Sequence, residues 1–198
     1  MQVSIHSWLS ENLVSGDKIA YDPKLHSIAQ IKKLSAALDK QDITLTTLED
    51  NLIDSLWTDR PDPPNGDIHP HNDAYAGQTS SDKRDNIAAQ LATEQADALL
   101  ITQPENTAWL LNIRGNDVPR TPFALSFAVL KKDASVAWFI NPNRLSSDLQ
   151  AHLGSDVEII PPQDMKTYLE KLTGNVLVDP SHTPQYFKNI LEDKAVEG

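Results

Sequence analysis

The stretch that decides the fold is "TGNVLVDPSHTPQYFKNIL" (Thr173–Leu191), because its pattern also occurs near the start of the chain, as "SGDKIAYDPKLHSIAQIKKL" (Ser15–Leu34). Each copy has a glycine, a short apolar strand, an Asp-Pro pair and then an amphipathic helix, and a helix-like segment precedes both copies. Strands often end at Asp-Pro by chance, but four features in the same order favour a duplication. We therefore expect two related α/β copies in one chain.

The segments around these two copies alternate between strand and helix patterns, except for one predicted hairpin over 123–142. This alternation predicts an α/β fold with a mixed sheet flanked by helices. Residues 1–57 are predicted to be the C-terminal part of a first copy, and residues 81–198 a complete second copy. Residues 58–80, which are rich in Pro, Asp, Asn, Gly and Ser, are predicted to be a linker. The first copy would then lack its front half.

The composition narrows the classes of function. The 198 residues carry a net charge of −11, which argues against binding to nucleic acids and to anionic membranes. The chain has no cysteine, so disulfides and thiolate chemistry are excluded. The first residues lack the pattern of a signal peptide, and no apolar stretch has the length of a membrane span. We expect a cytoplasmic protein.

Few residues suggest chemistry. The only cluster of histidine and aspartate, "HPHND" (His69–Asp73), is typical either of a metal site or of a solvated loop, and we favour the loop because the surrounding linker would not support ligands rigidly. Asp22 and Asp179 end strands, where α/β active sites collect, but an aspartate before proline also forms turns and caps helices, and we favour this role.

The most distinctive segment is Thr102–Pro122. Thr102 and Glu105 have the spacing of a capping box, and Gly115 suits a left-handed residue that ends a helix. Because Val118 and Thr121 precede prolines, the following chain should be extended. This pattern leaves three polar residues on a stiff, exposed corner: Arg114, Asn116 and Asp117. In the purely structural interpretation, an Arg–Asp pair fixes the turn.

Two motifs, "LWTDRP" (56–61) and "AWLLNIRGNDV" (108–118), resemble the aminopeptidase P family, the Xaa-Pro aminopeptidases of the creatinase superfamily. The resemblance implies two creatinase N-terminal-like (ribonuclease H-like) domains followed by a C-terminal pita-bread catalytic domain. In the parent enzyme that domain holds two divalent metal ions, often manganese, and removes the N-terminal residue of a peptide with proline second. A homodimer is also implied.

No ligand motif of that catalytic domain can be placed on this chain, so we assign it no catalytic residue, metal or cofactor and expect it to be inactive alone. The resemblance implies that Arg114, Asn116 and Asp117 face the catalytic domain, where they shape the substrate entrance or hold the domain junction. We expect a non-catalytic fragment of a metallopeptidase that serves architecture, substrate gating and dimerisation. Two other hypotheses stay open: a stand-alone α/β binding or regulatory domain, and an unrelated α/β enzyme that uses Asp22 or Asp179.

Overall fold

A computed structural model describes residues 4–198, except for the side chain of His6. The chain divides into two compact units. Unit 1 contains the chain up to Pro61 together with Pro180–Asn189, and unit 2 contains Asp62–Asp179 and Ile190–Gly198. In chain order the elements are α1 (Ile5–Asn12), β1 (Lys18–Tyr21), α2 (Ile28–Leu38), β2 (Thr44–Thr47), α3 (Leu52–Leu56), β3 (Ile68–Pro70), α4 (Asp73–Ala76), α5 (Ser80–Thr93), β4 (Ala98–Ile101), α6 (Pro104–Leu110), β5 (Ile113–Gly115), β6 (Phe127–Lys131), β7 (Val136–Phe139), α7 (Ser147–Leu153), β8 (Val157–Ile160), α8 (Met165–Lys171), β9 (Val176–Val178), α9 (Gln185–Leu191) and β10 (Ala195–Glu197).

Unit 1 is built on a parallel pair of strands, in which Lys18 of β1 lies opposite Thr44 of β2. Helix α2 connects the two strands and begins at a capping box, in which the Ser27 and Gln30 side chains each accept the other residue's backbone N–H. A small apolar core forms between the helices and the strands, made of Leu9, Leu38 and Ile43.

Unit 2 contains a six-stranded sheet in the order β10-β9-β4-β6-β7-β8. Strand β6 is antiparallel to both β4 and β7, whereas the other neighbouring strands are parallel. The mixed sheet and its predicted hairpin are thus confirmed. The centre of this unit is apolar, and Trp138, which is fully buried, donates its indole N–H to the Ser126 hydroxyl at 2.9 Å.

In both copies the structure has the predicted order of a strand, an Asp-Pro pair and a helix, and a second strand follows each helix. The series β1-α2-β2 recurs as β9-α9-β10, and in each series the two strands are parallel neighbours. Parallel strands require a crossover connection, usually a helix, which explains why an amphipathic helix follows the Asp-Pro pair in both copies. The shared order supports the duplication.

The segment predicted to be a linker, residues 58–80, has regular structure. Strand β3 pairs antiparallel with β5, and Ile68 is buried in the core of unit 2. Helix α4 follows, with the Asn72 side chain accepting the Ala74 N–H at its start. The polar composition concealed both elements, because β3 has only three residues and only Ile68 is buried. The short strand β10 was also not predicted from the sequence.

No helix in the described part of the chain is long and apolar enough to cross a membrane.

Large apolar side chains are exposed on unit 1, and four of them lie on or next to α3: Leu52, Ile53, Leu56 and Trp57. Exposed apolar side chains grouped in this way are typical of surfaces that bind other proteins.

We predict that the chain self-associates through this apolar surface. Leu56, which is 77% exposed, is the residue to change. Leu56→Glu should weaken self-association about tenfold or more, because burying a leucine contributes roughly 1.5–3 kcal/mol. The measurement is sedimentation equilibrium over a range of concentrations. Thr58→Glu adds the same charge at an exposed polar position and should leave association unchanged. A wild-type chain that stays monomeric throughout would contradict the prediction.

Candidate functional site

Asp117 lies at the centre of the predicted corner, and its side chain is fully buried rather than exposed. Oδ1 accepts hydrogen bonds from Arg144 Nη2 at 2.7 Å and from the Gly66 N–H at 2.9 Å, and Oδ2 accepts the Leu125 N–H at 2.7 Å. The Arg144 side chain is only 5% exposed. We call these four residues, Asp117, Arg144, Gly66 and Leu125, the Asp117 cluster.

The Asp117 cluster brings separate segments into backbone contact. Arg144 also donates from Nε and Nη2 to the carbonyl oxygen of Gly66, at 3.2 and 2.6 Å. A Cβ at position 66 would lie 2.7 Å from the backbone carbonyl of Asn116, so any side chain there would collide with backbone atoms. Gly66 is therefore required for the close approach of the chain before β3 to the corner after β5.

Gly115 has a different role from the predicted one. It lies buried in β5, and a Cβ there would come within 2.6 Å of the Ala124 backbone nitrogen. The left-handed residue is Asn112, with φ of 48°, directly after the end of α6. Asparagine tolerates this conformation better than most residues. The predicted helix stop at Gly115 was wrong because the chain turns earlier and continues as a strand.

Two other local predictions were also wrong. Helix α6 begins at Pro104, and its N-cap, Gln103, makes no capping bond from its side chain, so the predicted Thr102–Glu105 box does not start it. After Gly115 the chain does not stay extended: Val118 and Thr121 close a tight turn with a hydrogen bond of 3.1 Å, and Arg120 has φ of 64°. Proline suits the second position of such a turn, and the extended preference of Val118 is compatible with the first position, so the chain reverses at Pro119 and Arg120.

A second network surrounds Lys83, whose side chain is nearly fully buried at 3% exposure. Its ammonium donates to the Asn112 Oδ1 at 2.6 Å and to the Trp109 carbonyl at 3.0 Å, and it lies 4.6 Å from the centre of the Trp109 ring. Asn112 in turn donates from Nδ2 to Asp73 Oδ1 at 2.7 Å. The Asp73 carboxylate thus compensates the charge of Lys83 indirectly, because the Asn112 amide lies between the two groups.

Arg114 lies beside this network, on β5 opposite His69 of β3. It donates from Nη1 to the Ile113 carbonyl at 2.8 Å, and no carboxylate among the described residues pairs with it. Burial, Arg114, Lys83 and His69 together hold the pKa of His71 below its usual value. Burial and Arg114 likewise lower the pKa of Lys83, against the opposing effect of Asp73.

Two exposed aromatic side chains border these cations. Tyr75 is 82% exposed and lies 6.2 Å from the His71 ring, and Trp109 is 49% exposed above Lys83. We call this surface the cationic patch, and its members are His69, His71, Tyr75, Lys83, Trp109 and Arg114. Sequence reasoning missed Lys83 and Arg144 because their partners are distant in the chain.

The three predicted site residues are therefore not one unit. Arg114 belongs to the cationic patch, and Asp117 is buried and pairs with Arg144 rather than with Arg114. Asn116 is exposed, and its backbone N–H donates to the Asp67 carbonyl at 3.2 Å. The predicted stiff corner exists, but a buried ion pair stiffens it, and only Arg114 and Asn116 present polar groups at the surface.

The "HPHND" residues have structural partners. Asp73 accepts from Asn112, and the His71 ring packs against Tyr75. Among the side chains that the structure describes, no three His, Asp or Glu residues come together in a way that could hold a metal ion. The donor set of the two-metal site implied by the resemblance therefore does not occur in the described part of this chain.

The two aspartates that follow strands differ from each other. Asp22 accepts the Lys24 N–H at 2.8 Å and the Asn51 Nδ2 at 2.7 Å, so it forms a turn, as favoured from the sequence. Burial alone would raise its pKa, but these two hydrogen bonds and the charges of Lys24 and His26 together outweigh burial and lower it. Asp179 lines a small cleft of about 200 Å³ at the ends of β4 and β9, together with Gln103 and Asn106. Most of the other lining residues are apolar, among them Ile87 and Leu99.

Comparisons with known proteins agree with this architecture. Residues 59–198 match the model of the creatinase/prolidase N-terminal domain. A probable Xaa-Pro aminopeptidase P of Talaromyces marneffei is 32% identical over 91% of this chain and 27% of its own length. Xaa-Pro aminopeptidase 2 of Sus scrofa is 35% identical over 76% of this chain and 23% of its own length.

A solved structure is also similar. The X-prolyl aminopeptidase of Caenorhabditis elegans, described as a cytosolic enzyme with a di-nuclear active site, superposes with a TM-score of 0.89 at 26% identity. The superposition covers 98% of this chain and 33% of the nematode enzyme. The chain thus spans about a quarter to a third of the length of these relatives.

We predict that Asp117→Asn destabilises the protein by about 3–5 kcal/mol, because it leaves the buried Arg144 charge without its partner. Urea denaturation of the two proteins measures this difference. Asp97→Asn is the matched control, since Asp97 also forms a 2.6 Å ion pair, with Lys132, but on the surface. Asp97→Asn should lower the free energy of unfolding much less than Asp117→Asn does. Equal losses for the two variants would show that burial of the Asp117 cluster contributes nothing.

We further predict that Arg114→Gln raises the pKa of His71 toward its ordinary value of about 6.5, because one of the charges that lower it is removed. Since folding lowers this pKa, the wild type should lose stability as the pH falls from about 6.5 through the lowered pKa, and the variant should lose less. NMR titration of the histidine ring measures the pKa. Arg120→Gln, at an exposed position, is the control. An unchanged His71 pKa in Arg114→Gln would refute the electrostatic coupling.

Proposed function

Because the chain belongs to the creatinase/prolidase N-terminal domain family, we propose that it is the non-catalytic N-terminal and middle part of a metal-dependent Xaa-Pro aminopeptidase. The observation that carries the proposal is the superposition of nearly the whole chain on one third of the Caenorhabditis elegans enzyme. Both units of this chain fall within the matched part. The remaining length of that relative leaves room for a separate catalytic domain.

In this proposal the parent enzyme removes the N-terminal residue of a peptide whose second residue is proline. A C-terminal pita-bread domain supplies the chemistry, with two divalent metal ions, preferably manganese, that activate water and stabilise the charge that develops on the peptide carbonyl. The parent enzyme acts in the cytoplasm as a homodimer. The di-nuclear active site named for the nematode relative supports the metal requirement.

The chain itself provides architecture, substrate gating and dimerisation. The Asp117 cluster fixes the corner after β5, and this corner presents Arg114 and Asn116 toward the catalytic domain, where they shape the entrance for the peptide. A rigid corner suits this task, because a charged group positions a substrate only when its own conformation is restricted. The predicted domains, 1–57 and 81–198, correspond in this proposal to the first and middle domains of the parent, and β3 and α4 of the segment 58–80 belong with the middle domain.

The test compares this 198-residue chain with the longer gene product that the proposal requires. With manganese and a peptide of the type Xaa-Pro-Yaa, the longer protein should release the N-terminal residue and this chain alone should release none. Hydrolysis by the chain alone would contradict the proposal. A reading frame with no Asp, His and Glu ligands downstream would instead favour the stand-alone binding domain.

The same assay tests the role of the corner. In the longer protein, Arg114→Ala should lower kcat/KM about tenfold through loss of one charged contact, which corresponds to roughly 1.4 kcal/mol. The melting temperature of the 198-residue chain should stay within error, because Arg114 has no ion-pair partner among its described residues whose loss would cost stability. Arg120→Ala serves as the control. If both kcat/KM and the melting temperature of Arg114→Ala equal those of the wild type, Arg114 has no part in gating or at the junction.

A further inference from the structure

The cationic patch holds more positive than negative charge, in a chain that is strongly acidic overall. Asp and Glu outnumber Lys and Arg by 28 to 17, yet Arg114 has no described carboxylate partner. Asp73, the acidic residue beside the patch, already accepts a hydrogen bond from Asn112. Arg60, Arg84 and Arg144 each have an aspartate within 4 Å. The patch therefore lacks an anion that three of the four other arginines have, the exception being the exposed Arg120.

Arg114 is held in a position from which it can bind such an anion. It lies half-buried on β5, and one end of its guanidinium is fixed by the hydrogen bond from Nη1 to the Ile113 carbonyl. A guanidinium has five N–H donors, so most of its hydrogen-bonding capacity is left. A planar fork of this kind pairs with a carboxylate through two parallel hydrogen bonds. Little conformational entropy would be lost on binding, since the side chain is already restricted.

The neighbouring cations strengthen the attraction. Lys83 is buried beneath Trp109, where its charge is poorly screened by water, and it lowers the pKa of His71 together with Arg114. Because its lowered pKa leaves His71 mostly neutral at pH 7, Lys83 and Arg114 are the charged members of this group, and their mutual repulsion is relieved when an anion binds beside them. An anion at Arg114 would thus gain energy from both of these cations.

The border of the patch indicates the kind of partner. Tyr75 and Trp109 expose large aromatic surfaces next to the cations. Tyrosine, tryptophan and arginine are the residues that most often dominate binding energy in protein interfaces. A nucleic acid is disfavoured, because the net charge of −11 repels a polyanion over most of the surface.

We propose that the cationic patch is a docking surface for a protein segment that carries aspartate or glutamate, with a carboxylate bound to the Arg114 guanidinium and an apolar neighbour packed on Trp109 and Tyr75. The inference rests on the proposed function in one respect, namely that a protein surface packs on this part of the chain. The inference goes beyond the proposed function by stating that this surface carries a carboxylate. The carboxylate, rather than apolar burial alone, determines which segment binds.

The experiment uses the ¹⁵N-labelled chain and two blocked peptides, Ac-Glu-Leu-Glu-NH₂ and Ac-Gln-Leu-Gln-NH₂, which differ only in charge. Each is titrated at pH 7.0 while the Trp109 indole N–H and the Arg114 Nε–H are followed by NMR. Peptide concentrations up to about 10 mM detect binding with millimolar dissociation constants. The glutamate peptide should shift both signals and bind about tenfold more tightly than the glutamine peptide, because charge-assisted hydrogen bonds are roughly twice as strong as neutral ones.

Variants identify the residue responsible. Arg114→Gln should reduce binding of the glutamate peptide to the level of the glutamine peptide, Arg114→Lys should retain part of it, and Arg120→Gln should leave it unchanged. The amide spectrum of each variant reports whether it folds, and Arg114→Lys preserves the charge if Arg114→Gln does not fold. Equal binding of the two peptides, no shift at Trp109 and Arg114, or wild-type affinity in a folded Arg114 variant would each overturn the proposal. Because the chain alone is used, these outcomes are independent of whether the longer protein hydrolyses peptides.

Discussion

Asp117 places a carboxylate where solvent does not reach it, and the surrounding chain is arranged so that this carboxylate is fully compensated. Arg144 supplies a buried guanidinium, and the N–H groups of Gly66 and Leu125 supply the remaining hydrogen bonds. A buried ion pair of this kind adds little to stability compared with an apolar pair, but removing one partner is costly. The buried ion pair therefore makes one arrangement of three segments, those around Gly66, Asp117 and Arg144, strongly preferred over others.

This requirement explains features that otherwise look unrelated. Gly66 must be glycine because Arg144 and Asp117 draw its backbone against that of Asn116. Gly115 must be glycine because β5 then passes close to the backbone at Ala124. This contact fixes β5 on one side and its pairing with β3 fixes it on the other, so the backbone position from which the Arg114 side chain extends is determined. The buried Asp117 cluster, which holds the chain directly after β5, thus contributes to the placement of Arg114.

The sequence was informative where the signal was periodic or repeated. The duplicated strand, Asp-Pro pair and helix predicted two related α/β copies, and in both copies the structure uses the helix as the crossover between parallel neighbouring strands. The hairpin of β6 and β7 was also predictable, since both of its strands are largely apolar and a short polar turn joins them. By contrast, β3 has one buried side chain and no periodicity, so its pairing with β5 depends on contacts that no local pattern contains.

The site was harder to predict for the same reason. The motif at Arg114–Asp117 was recognised, but its residues were assigned to one exposed corner because adjacent polar residues normally share a surface. Whether a polar side chain is buried depends on a partner elsewhere in the chain, here Arg144 for Asp117 and Asn112 for Lys83. The glycine was misassigned to a left-handed conformation, although Asn112 adopts it. Only the fold could separate these roles.

The two buried charges also differ in a way that bears on function. Asp117 pairs directly with Arg144, so its charge is neutralised within the unit and has little influence on the surface. Lys83 is compensated only through the amide of Asn112, and the Asp73 carboxylate at the far side of that amide is more distant than a direct partner would be. Coulombic energy falls with distance, so part of the positive potential of Lys83 remains at the surface beside Arg114 and His71. The incompletely compensated lysine beneath an exposed tryptophan therefore favours the binding of an anion beside Arg114.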